Sequence, residues 1–224
     1  MKRIFILLMI SLFLCSSTVM AKSVFVRTGL YKLDMKSDLW ETNMENLVFD
    51  KNDLQGSYYA LGYEFFPLSF ISFSVEGGTF KKDHYSVYRD EVYPDDSPIP
   101  QNISLTMNSV EVNLNLFPLT YKRNIYPYIS VGGGVYFWKY EQWGDFINFQ
   151  DETVTPNAYA DSQSVAFGAN IKAGFIFRAG KRMGFSIEGK YRTLKDDLSS
   201  NFEGFEKLDL SGLTINIGVH FFMW

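Results

Sequence analysis

The stretch Ser211–Trp224, SGLTINIGVHFFMW, alternates in polarity almost without interruption. Its apolar members share one phase: Leu213, Ile215, Ile217, Val219, Phe221 and Met223. Because successive side chains of an extended strand point to opposite faces, these residues form one apolar face. The other face carries Thr214, Asn216, Gly218, His220 and Phe222. The stretch therefore predicts a long amphipathic strand.

Seven further segments show the same period of two. They cover 23–33, 57–66, a segment from 71, one that ends at 116, 128–140, 165–177 and 185–194, and the last segment extends over 210–224. Within the fourth, Ile103, Leu105 and Met107 have the opposite phase to Val110, which predicts a bulge or a loop boundary near Asn108. Eight such segments predict an all-β fold, an eight-stranded antiparallel up-and-down transmembrane β-barrel.

The connections between these segments alternate between long and short. The long ones are 34–56, 81–108, 141–163 and 195–208, and they hold 20 acidic and 7 basic residues. The short ones lie near Pro67, over 118–126 and over 179–183, and they carry Lys122, Arg123, Lys181 and Arg182, with Arg178 beside them and no acid. This alternation predicts long extracellular loops, short periplasmic turns and both chain ends on the periplasmic side.

The N-terminus has the pattern of an export signal. Lys2 and Arg3 precede the apolar run 4–14, and Val19-Met20-Ala21 forms a small-residue cleavage site. We expect residues 1–21 to be a cleaved signal peptide and 22–224 to form one barrel domain. Cleavage removes Cys15, the only cysteine, and leaves 25 acidic against 19 basic residues. That balance, without a basic patch, argues against a nucleic-acid partner.

Two motifs carry a family resemblance. One is Tyr126-Pro127-Tyr128 leading into Val131-Gly132-Gly133-Gly134-Val135, and the other is the terminal IGVHFFMW of 217–224. With them, the chain resembles the small outer-membrane β-barrel superfamily that includes the OmpA transmembrane domain, OmpX and the OmpW group. The resemblance implies a monomer exported through the periplasm to the outer membrane. Its partners would be outer-membrane lipid, lipopolysaccharide and the barrel-assembly machinery, which reads the C-terminal strand. Trp224 departs from the family, because it lies one residue out of phase with the lipid-facing positions.

If the apolar faces point to lipid, the polar faces line the lumen. The inward charged residues are then Arg27, Glu64, Glu76, Glu111, Lys172, Glu188, Lys190 and Arg192. They are joined there by Asn113, Asn115, Asn170, Asn216 and His220. Four acids and four bases predict interlocking ion pairs, since unpaired charges away from water are costly. An eight-stranded lumen is narrow, so we expect a polar plug. A narrow ion path and a binding cavity near the outer mouth are the alternatives.

The sequence gives little support for a catalytic or a metal site. Asp83, His84 and Ser86 are the only local acid–histidine–hydroxyl set, and a triad is recognised by geometry rather than by such common spacing. The lipid A deacylase motif His-x-Ser-Asn is absent. The acidic pairs Asp95-Asp96, Asp151-Glu152 and Asp196-Asp197 indicate solvated loop charge. We therefore expect no enzyme activity, no cofactor and no metal site.

The predicted long loops are also rich in aromatic residues. Among them are Trp40, Phe49, Tyr85, Tyr88, Tyr93, Trp143, Phe146, Phe149, Tyr159, Phe202 and Phe205. The first functional hypothesis is a structural or surface-interaction protein that acts through these acidic, aromatic loops. The second is a minor pore or hydrophobic-solute carrier that resembles the OmpW group. A lipid A-modifying enzyme is the least supported, because no triad spacing was found.

Overall fold

The computed structural model describes residues 21–119, 124–149 and 153–223. Its strands are β1 (Ala21–Leu33), β2 (Gly56–Leu68), β3 (Ile71–Val92), β4 (Pro98–Leu116), β5 (Ile125–Asn148), β6 (Thr153–Ala179), β7 (Met183–Thr193), the short β8 (Lys195–Asp196) and β9 (Leu208–Asp209), and β10 (Gly212–Met223). One helix, α1 (Asp38–Asn46), and a 3₁₀ turn (Ser200–Phe202) complete the described elements. No helix in these ranges is long and apolar enough to cross a membrane.

Eight of the strands close into one antiparallel barrel in the order β1-β10-β7-β6-β5-β4-β3-β2, which confirms the predicted fold. The barrel closes between the first and last strands, where the register extends from Lys22 opposite Met223 to Leu33 opposite Gly212. Residues 1–20 of the predicted signal peptide and Trp224 lie outside the described residues. Lys122, Arg123, Asp151 and Glu152 of the predicted connections lie outside them as well.

An exposed apolar belt surrounds the barrel. Every barrel strand contributes large apolar side chains to it, among them Val26, Leu61, Val75, Val112, Val131, Ile171, Ile187 and Ile217, all of them exposed. Ile217 belongs to the apolar face that the alternation predicted for the last strand. Such a belt suits contact with lipid acyl chains rather than with water.

The barrel wall is much taller on one side. Strands β3 to β6, here called the tall wall, have 19 to 27 residues each, whereas β7 and β10 have 11 and 12. The predicted loops 81–108 and 141–163 are therefore wrong for most of their length, because strand pairing continues through them. We call the end toward which the tall wall extends the upper end of the barrel, and the end with Ala21 and Met223 the lower end.

The predicted irregularity near Asn108 is also absent. Asn108 pairs with Thr79 and with Phe137 in an unbroken register. Ile103 and Leu105 point inward like Glu111, and both are fully buried. The apolar phase changes because the interior changes along the strand, from polar within the belt to apolar above it.

The tips of the two tall hairpins are joined by Asp145. Its carboxylate accepts a hydrogen bond from the Tyr93 hydroxyl and a second from the backbone N–H of Asn157 at 2.7 Å. These hydrogen bonds lower the pKa of Asp145 below its usual value, and the bond from Tyr93 is the largest cause. The ionised carboxylate therefore links the tips of the β3–β4 and β5–β6 hairpins, whose strands β4 and β5 are paired below it.

Candidate functional site

The barrel interior is arranged in three layers. The inward side chains of β4 and of the residue after it are apolar at the lower end (Phe117), charged in the middle (Glu111) and apolar again above (Met107). The lower apolar layer consists of Phe66, Phe117, Tyr126, Tyr128, Ile176 and Phe222. The upper apolar core includes Tyr31, Leu33, Trp40, Phe80, Ile103, Leu105, Met107, Tyr140 and Leu210. Between them lie the eight charged residues predicted for the lumen, here called the charged layer, each at most 5% exposed.

Two lysines and two glutamates form the centre of the charged layer. Lys190 Nζ lies 2.8 Å from Glu76 Oε1 and 3.1 Å from Glu111 Oε2. Lys172 Nζ lies 3.1 Å from Glu76 Oε2 and 3.5 Å from Glu111 Oε2. Each cation thus touches both carboxylates. Glu76 and Glu111 stand directly opposite each other on β3 and β4, so the lysines separate two like charges.

Arg27 extends this cluster toward the first and seventh strands. Its Nη1 lies 2.7 Å from Glu76 Oε2 and 3.1 Å from Glu188 Oε2. Glu188 also accepts hydrogen bonds from the Tyr128 hydroxyl at 2.5 Å and from Asn216 Nδ2 at 3.2 Å. The lower apolar layer therefore supplies a donor to the charged layer.

Arg192 marks the upper boundary of the charged layer. Its Nη2 lies 3.6 Å from Glu111 Oε1, which is a long ion pair. Its guanidinium carbon lies 4.8, 5.4 and 5.0 Å from the ring centres of Tyr31, Tyr58 and Tyr136. The negative faces of these rings stabilise the buried guanidinium, which has only this one long ion pair with an acid in the described residues. Sequence reasoning missed these tyrosines, although their phase places them inward.

Glu64 is the exception among the eight. No cation of the described residues lies within 4 Å of it; its carboxylate accepts hydrogen bonds from Asn115 Nδ2 at 2.8 Å, from the Ser72 hydroxyl and from the Ser23 hydroxyl at 3.4 Å. The structure thus connects seven of the predicted residues through ion pairs and places Glu64 apart, near the lower layer.

The five other polar residues predicted for the lumen also lie inside the barrel. Asn113, Asn115, Asn170, Asn216 and His220 are all buried. His220 Nε2 lies 3.1 Å from the Ser186 hydroxyl, and its ring stacks on Phe222 with 6.1 Å between ring centres. This histidine therefore packs against the lower apolar layer and touches no acid within the described contacts.

The candidate triad is not assembled. His84 lies on β3, and its Nε2 is 3.7 Å from Asp53 Oδ2. Asp83 points to the opposite face of the strand, where it accepts a hydrogen bond from Ser104. The Ser86 hydroxyl donates to the carbonyl of Val48 at 2.8 Å. In the described residues, no group of three or more metal-binding side chains is arranged around a common point.

The upper mouth holds a surface cavity of about 480 Å³. Charged side chains dominate its lining, including Lys36, Asp197 and Glu206. The apolar space beneath is filled by the protein itself, because Trp40 is fully buried and its indole N–H donates to the carbonyl of Asp209 at 2.9 Å. Phe49, a second predicted loop aromatic, is buried there too.

No protein-family model matches the chain, and no curated protein matches it significantly in sequence. Among solved structures, it is similar to the outer membrane protein OprG from Pseudomonas aeruginosa, at 12% identity over 91% of this chain and 95% of that one, with a TM-score of 0.56. It is also similar to a major outer membrane protein from Thermus thermophilus, at 10% identity over 92% of this chain and 100% of that one, with a TM-score of 0.50. This likeness confirms the predicted fold.

Proposed function

We propose that this chain is an outer-membrane β-barrel with a closed polar lumen, and that it acts as a structural or surface-interaction protein through its upper end. The observation that carries the proposal is the charged layer. Its eight side chains are buried, and seven of them are held in ion pairs that reach across the barrel from β1 and β3 to β6 and β7. An ion that crossed would have to break these pairs in a low-dielectric interior.

The apolar belt and the distribution of charge support the membrane location and the orientation. The lower end has short turns with Arg178, Lys181 and Arg182, and its described turn residues include no acid. The upper end carries the strongly acidic connections. We therefore place the upper end outside the cell and both chain ends in the periplasm, as in barrels of this kind.

The proposed partners follow from this placement. Outer-membrane lipid and lipopolysaccharide surround the belt, and the barrel-assembly machinery acts on β10 during insertion. The chain works as a monomer, because its eight strands close the sheet on itself around the whole apolar belt.

The exposed part of the upper end provides the interaction surface. Tyr85, Phe149 and Tyr159 are more than half exposed there. The buried Trp40 and Phe49 reduce this surface and fill the space that a hydrophobic-solute carrier would keep open. The packing thus supports surface contact over the minor-pore and carrier alternatives.

Single-channel recording in a planar bilayer tests the proposal. The refolded chain, with its strand content checked by circular dichroism, should give no reproducible conductance steps, while an open porin in the same bilayer serves as the positive control. Steps whose ion selectivity changes in Glu111→Lys or Lys172→Glu would instead identify the lumen as a conduit.

A further inference from the structure

The tall wall has an open edge on β6, next to the end of β7. β6 pairs with β5 without interruption from Ala158 to Phe177, but its pairing with β7 begins only at Ala169, opposite Thr193. Within the described part of the chain, residues 163–168 therefore have a neighbouring strand on one side alone. We call this stretch the β6 edge.

The edge is open because the chain turns away from β6 after β7. Leu194 is buried, its N–H donates to the Ser211 hydroxyl at 3.0 Å, and its carbonyl accepts from the Leu210 N–H at 2.9 Å. The next two residues form β8, which pairs with β9. The chain returns to β6 at Ser199, whose N–H donates to the Ser162 hydroxyl at 2.9 Å. The described chain therefore places no strand beside the β6 edge.

Hydrogen bonds at both ends of the edge show which backbone groups face its open side. The carbonyl of Asp161 accepts from the Ser199 hydroxyl at 2.8 Å, and the carbonyl of Ala169 accepts from the Thr193 hydroxyl at 3.4 Å. Both carbonyls thus point away from β5. In an antiparallel strand the N–H and the C=O of one residue point to the same side, and the side alternates along the chain. The odd-numbered residues between these two therefore direct their backbone groups to the open side.

These residues are Gln163, Val165 and Phe167. In the described residues, no hydrogen bond from another segment reaches their N–H and C=O groups. Such a row of unpaired groups is a template for a further strand. An extended peptide is the partner that fits it, because its own donors and acceptors repeat with the same two-residue period.

The β6 edge begins at the outer surface of the membrane. Along β6, the outward apolar side chains extend from Phe177 to Val165, and Gln163 follows them. A tilted strand crosses the hydrocarbon core in about 9–11 residues, so Phe167, about ten residues beyond Phe177, lies at the outer boundary of the lipid. Val165 and Gln163 lie above it, where a partner outside the cell can reach them.

The side chains of the edge define the pattern of the partner. Phe167 and Val165 point outward and are 82% and 52% exposed; no other large apolar side chain of the described residues is as exposed as Phe167. Apolar residues of an added strand would cover them as cross-strand neighbours. The inward residues Ala166 and Gly168 are small, and a Cβ built on Gly168 would lie 3.3 Å from Leu194 Cδ1. The partner therefore needs small residues on its inward face.

A second copy of this chain does not fit the β6 edge. Barrel strands are tilted by about 35–45°, and two copies in one membrane are related by rotation about the membrane normal. A half turn reverses the direction in which β6 leans, so two β6 strands would cross instead of pairing. The other edge of the tall wall is on β3, where the Val48 N–H donates to the carbonyl of Val87 at 2.9 Å and Leu47 bridges to Tyr88. These points favour a segment of a different polypeptide.

We propose that the β6 edge is a docking site for an extended segment of another polypeptide outside the cell. The segment adds antiparallel to β6 as one more strand of the tall wall, with apolar residues outward and small residues inward. The inference rests on the proposed surface-interaction function, and it gives that function a class of partner and a place on the molecule.

Hydrogen exchange first tests whether the edge is open. In the refolded full chain in phosphatidylcholine vesicles, the amides of Gln163, Val165 and Phe167 should exchange at least tenfold faster than those of Ser164 and Ala166, which face β5. Residue-resolved NMR measures these rates. Slow exchange at the three odd-numbered amides in the chain alone would overturn the docking site, because it would show that the edge is already covered.

A synthetic peptide then tests docking. The probe alternates valine with serine and carries lysines at both ends for solubility. With valine outward, its valine amides face β6, because directly paired residues lie on the same face of a sheet. The probe should slow exchange at the three odd-numbered amides by tenfold or more. N-methylation of its valines should abolish this effect, whereas N-methylation of its serines should not. No slowing at millimolar probe, or an equal effect of both methylated peptides, would overturn the docking site.

A variant of the chain removes one donor from the edge. Val165→Pro lacks the N–H that points away from β5, so its pairing with β5 is retained and its affinity for the probe should fall roughly fivefold. The matched control Val165→Thr keeps the N–H and should bind like the parent. Equal affinities of the two variants would contradict docking through the backbone.

Flotation with the vesicles and strand content by circular dichroism are checked for every chain. If Val165→Pro does not fold, the two methylated peptides still decide the question on the parent chain. A parent chain that does not float contradicts the proposed outer-membrane function. A parent chain that floats and does not bind the probe contradicts only the docking site.

Discussion

Replacing Lys190 with methionine removes one of the two cations that lie between Glu76 and Glu111 and leaves the packing volume nearly unchanged. Lys190 Nζ lies 2.8 Å from Glu76 and 3.1 Å from Glu111, and it donates to the Tyr58 hydroxyl at 3.0 Å. Without it, two buried carboxylates face each other across β3 and β4 with one fewer positive charge between them.

The expected loss follows from burial. Removing one partner of a buried ion pair typically costs about 3–5 kcal/mol. Lys172 still contacts both carboxylates, so we expect the lower end, about 3 kcal/mol. The exposed pair of Lys207 and Asp197 has a similar 3.0 Å separation, and Lys207→Met should cost only about 0–1 kcal/mol.

Urea unfolding of the vesicle-inserted protein measures this difference, with the free energy of unfolding extrapolated linearly to water. Adding Glu111→Gln to Lys190→Met restores charge balance and should recover at least half of the loss. The reasoning is refuted if Lys190→Met lies within about 1 kcal/mol of the parent, the range expected for an exposed ion pair. It is refuted equally if the double variant is less stable than the single one.

Three other changes test separate features. Because the pKa of Asp145 is depressed in the folded protein, the carboxylate stabilises the fold above about pH 4, the pKa of an unfolded aspartate. This stabilisation is lost as the pH falls through the lower folded pKa, so the Asn157 amide that donates to Asp145 should lose protection from hydrogen exchange at acid pH. An equal pH effect in Asp145→Asn would contradict this. Gly29→Ala would place a Cβ 2.1 Å from a backbone oxygen of β10, so it should lower the free energy of unfolding by about 1–3 kcal/mol. The control Gly189→Ala would place a Cβ with no atom within 4 Å and should leave stability unchanged. Equal urea midpoints for the two variants would contradict the close approach of β1 and β10 at Gly29. Glu64→Gln should cost less than Glu76→Gln, because only the latter breaks ion pairs within 4 Å, and the reverse order in urea unfolding would exclude our assignment.

Alternation alone predicted the barrel and the inward position of all eight charged residues. It succeeded because the pleat of a strand determines which face a residue occupies, whether that face contacts lipid, water or the barrel interior. It failed at Ile103 and Leu105, whose opposite phase we took as the sign of a bulge or a loop boundary near Asn108. These residues are inward like Glu111, and only the three-dimensional structure shows that the interior turns apolar above the belt.

The pairing within the charged layer could not be predicted from the sequence. Lys190 and Glu76 are 114 residues apart, and their contact depends on barrel closure and on the tilt of each strand. The same holds for Glu64, whose charge type and phase match those of Glu76. Its separation from every described cation results from its position beside the lower apolar layer.

Two of the four predicted long loops were wrong for most of their length, and for a different reason. Residues 81–108 and 141–163 are polar and rich in residue types that favour turns, so their composition resembles that of loops. Pairing between β3, β4, β5 and β6 nevertheless continues through them, since each hairpin extends a sheet that already exists below. Polarity marks where the lipid ends; it does not mark where the strand ends.

The charges of the lumen are divided along the chain, and this has a consequence for the order of folding. Strands β1 to β4 bring Arg27, Glu64, Glu76 and Glu111, a net charge of −2, whereas β6 and β7 bring Lys172, Glu188, Lys190 and Arg192, a net charge of +2. A half-built sheet of either sign would carry uncompensated charge into the membrane. We therefore expect insertion of the two halves to be coupled, because the acids of the N-terminal hairpins find most of their cationic partners on the C-terminal strands.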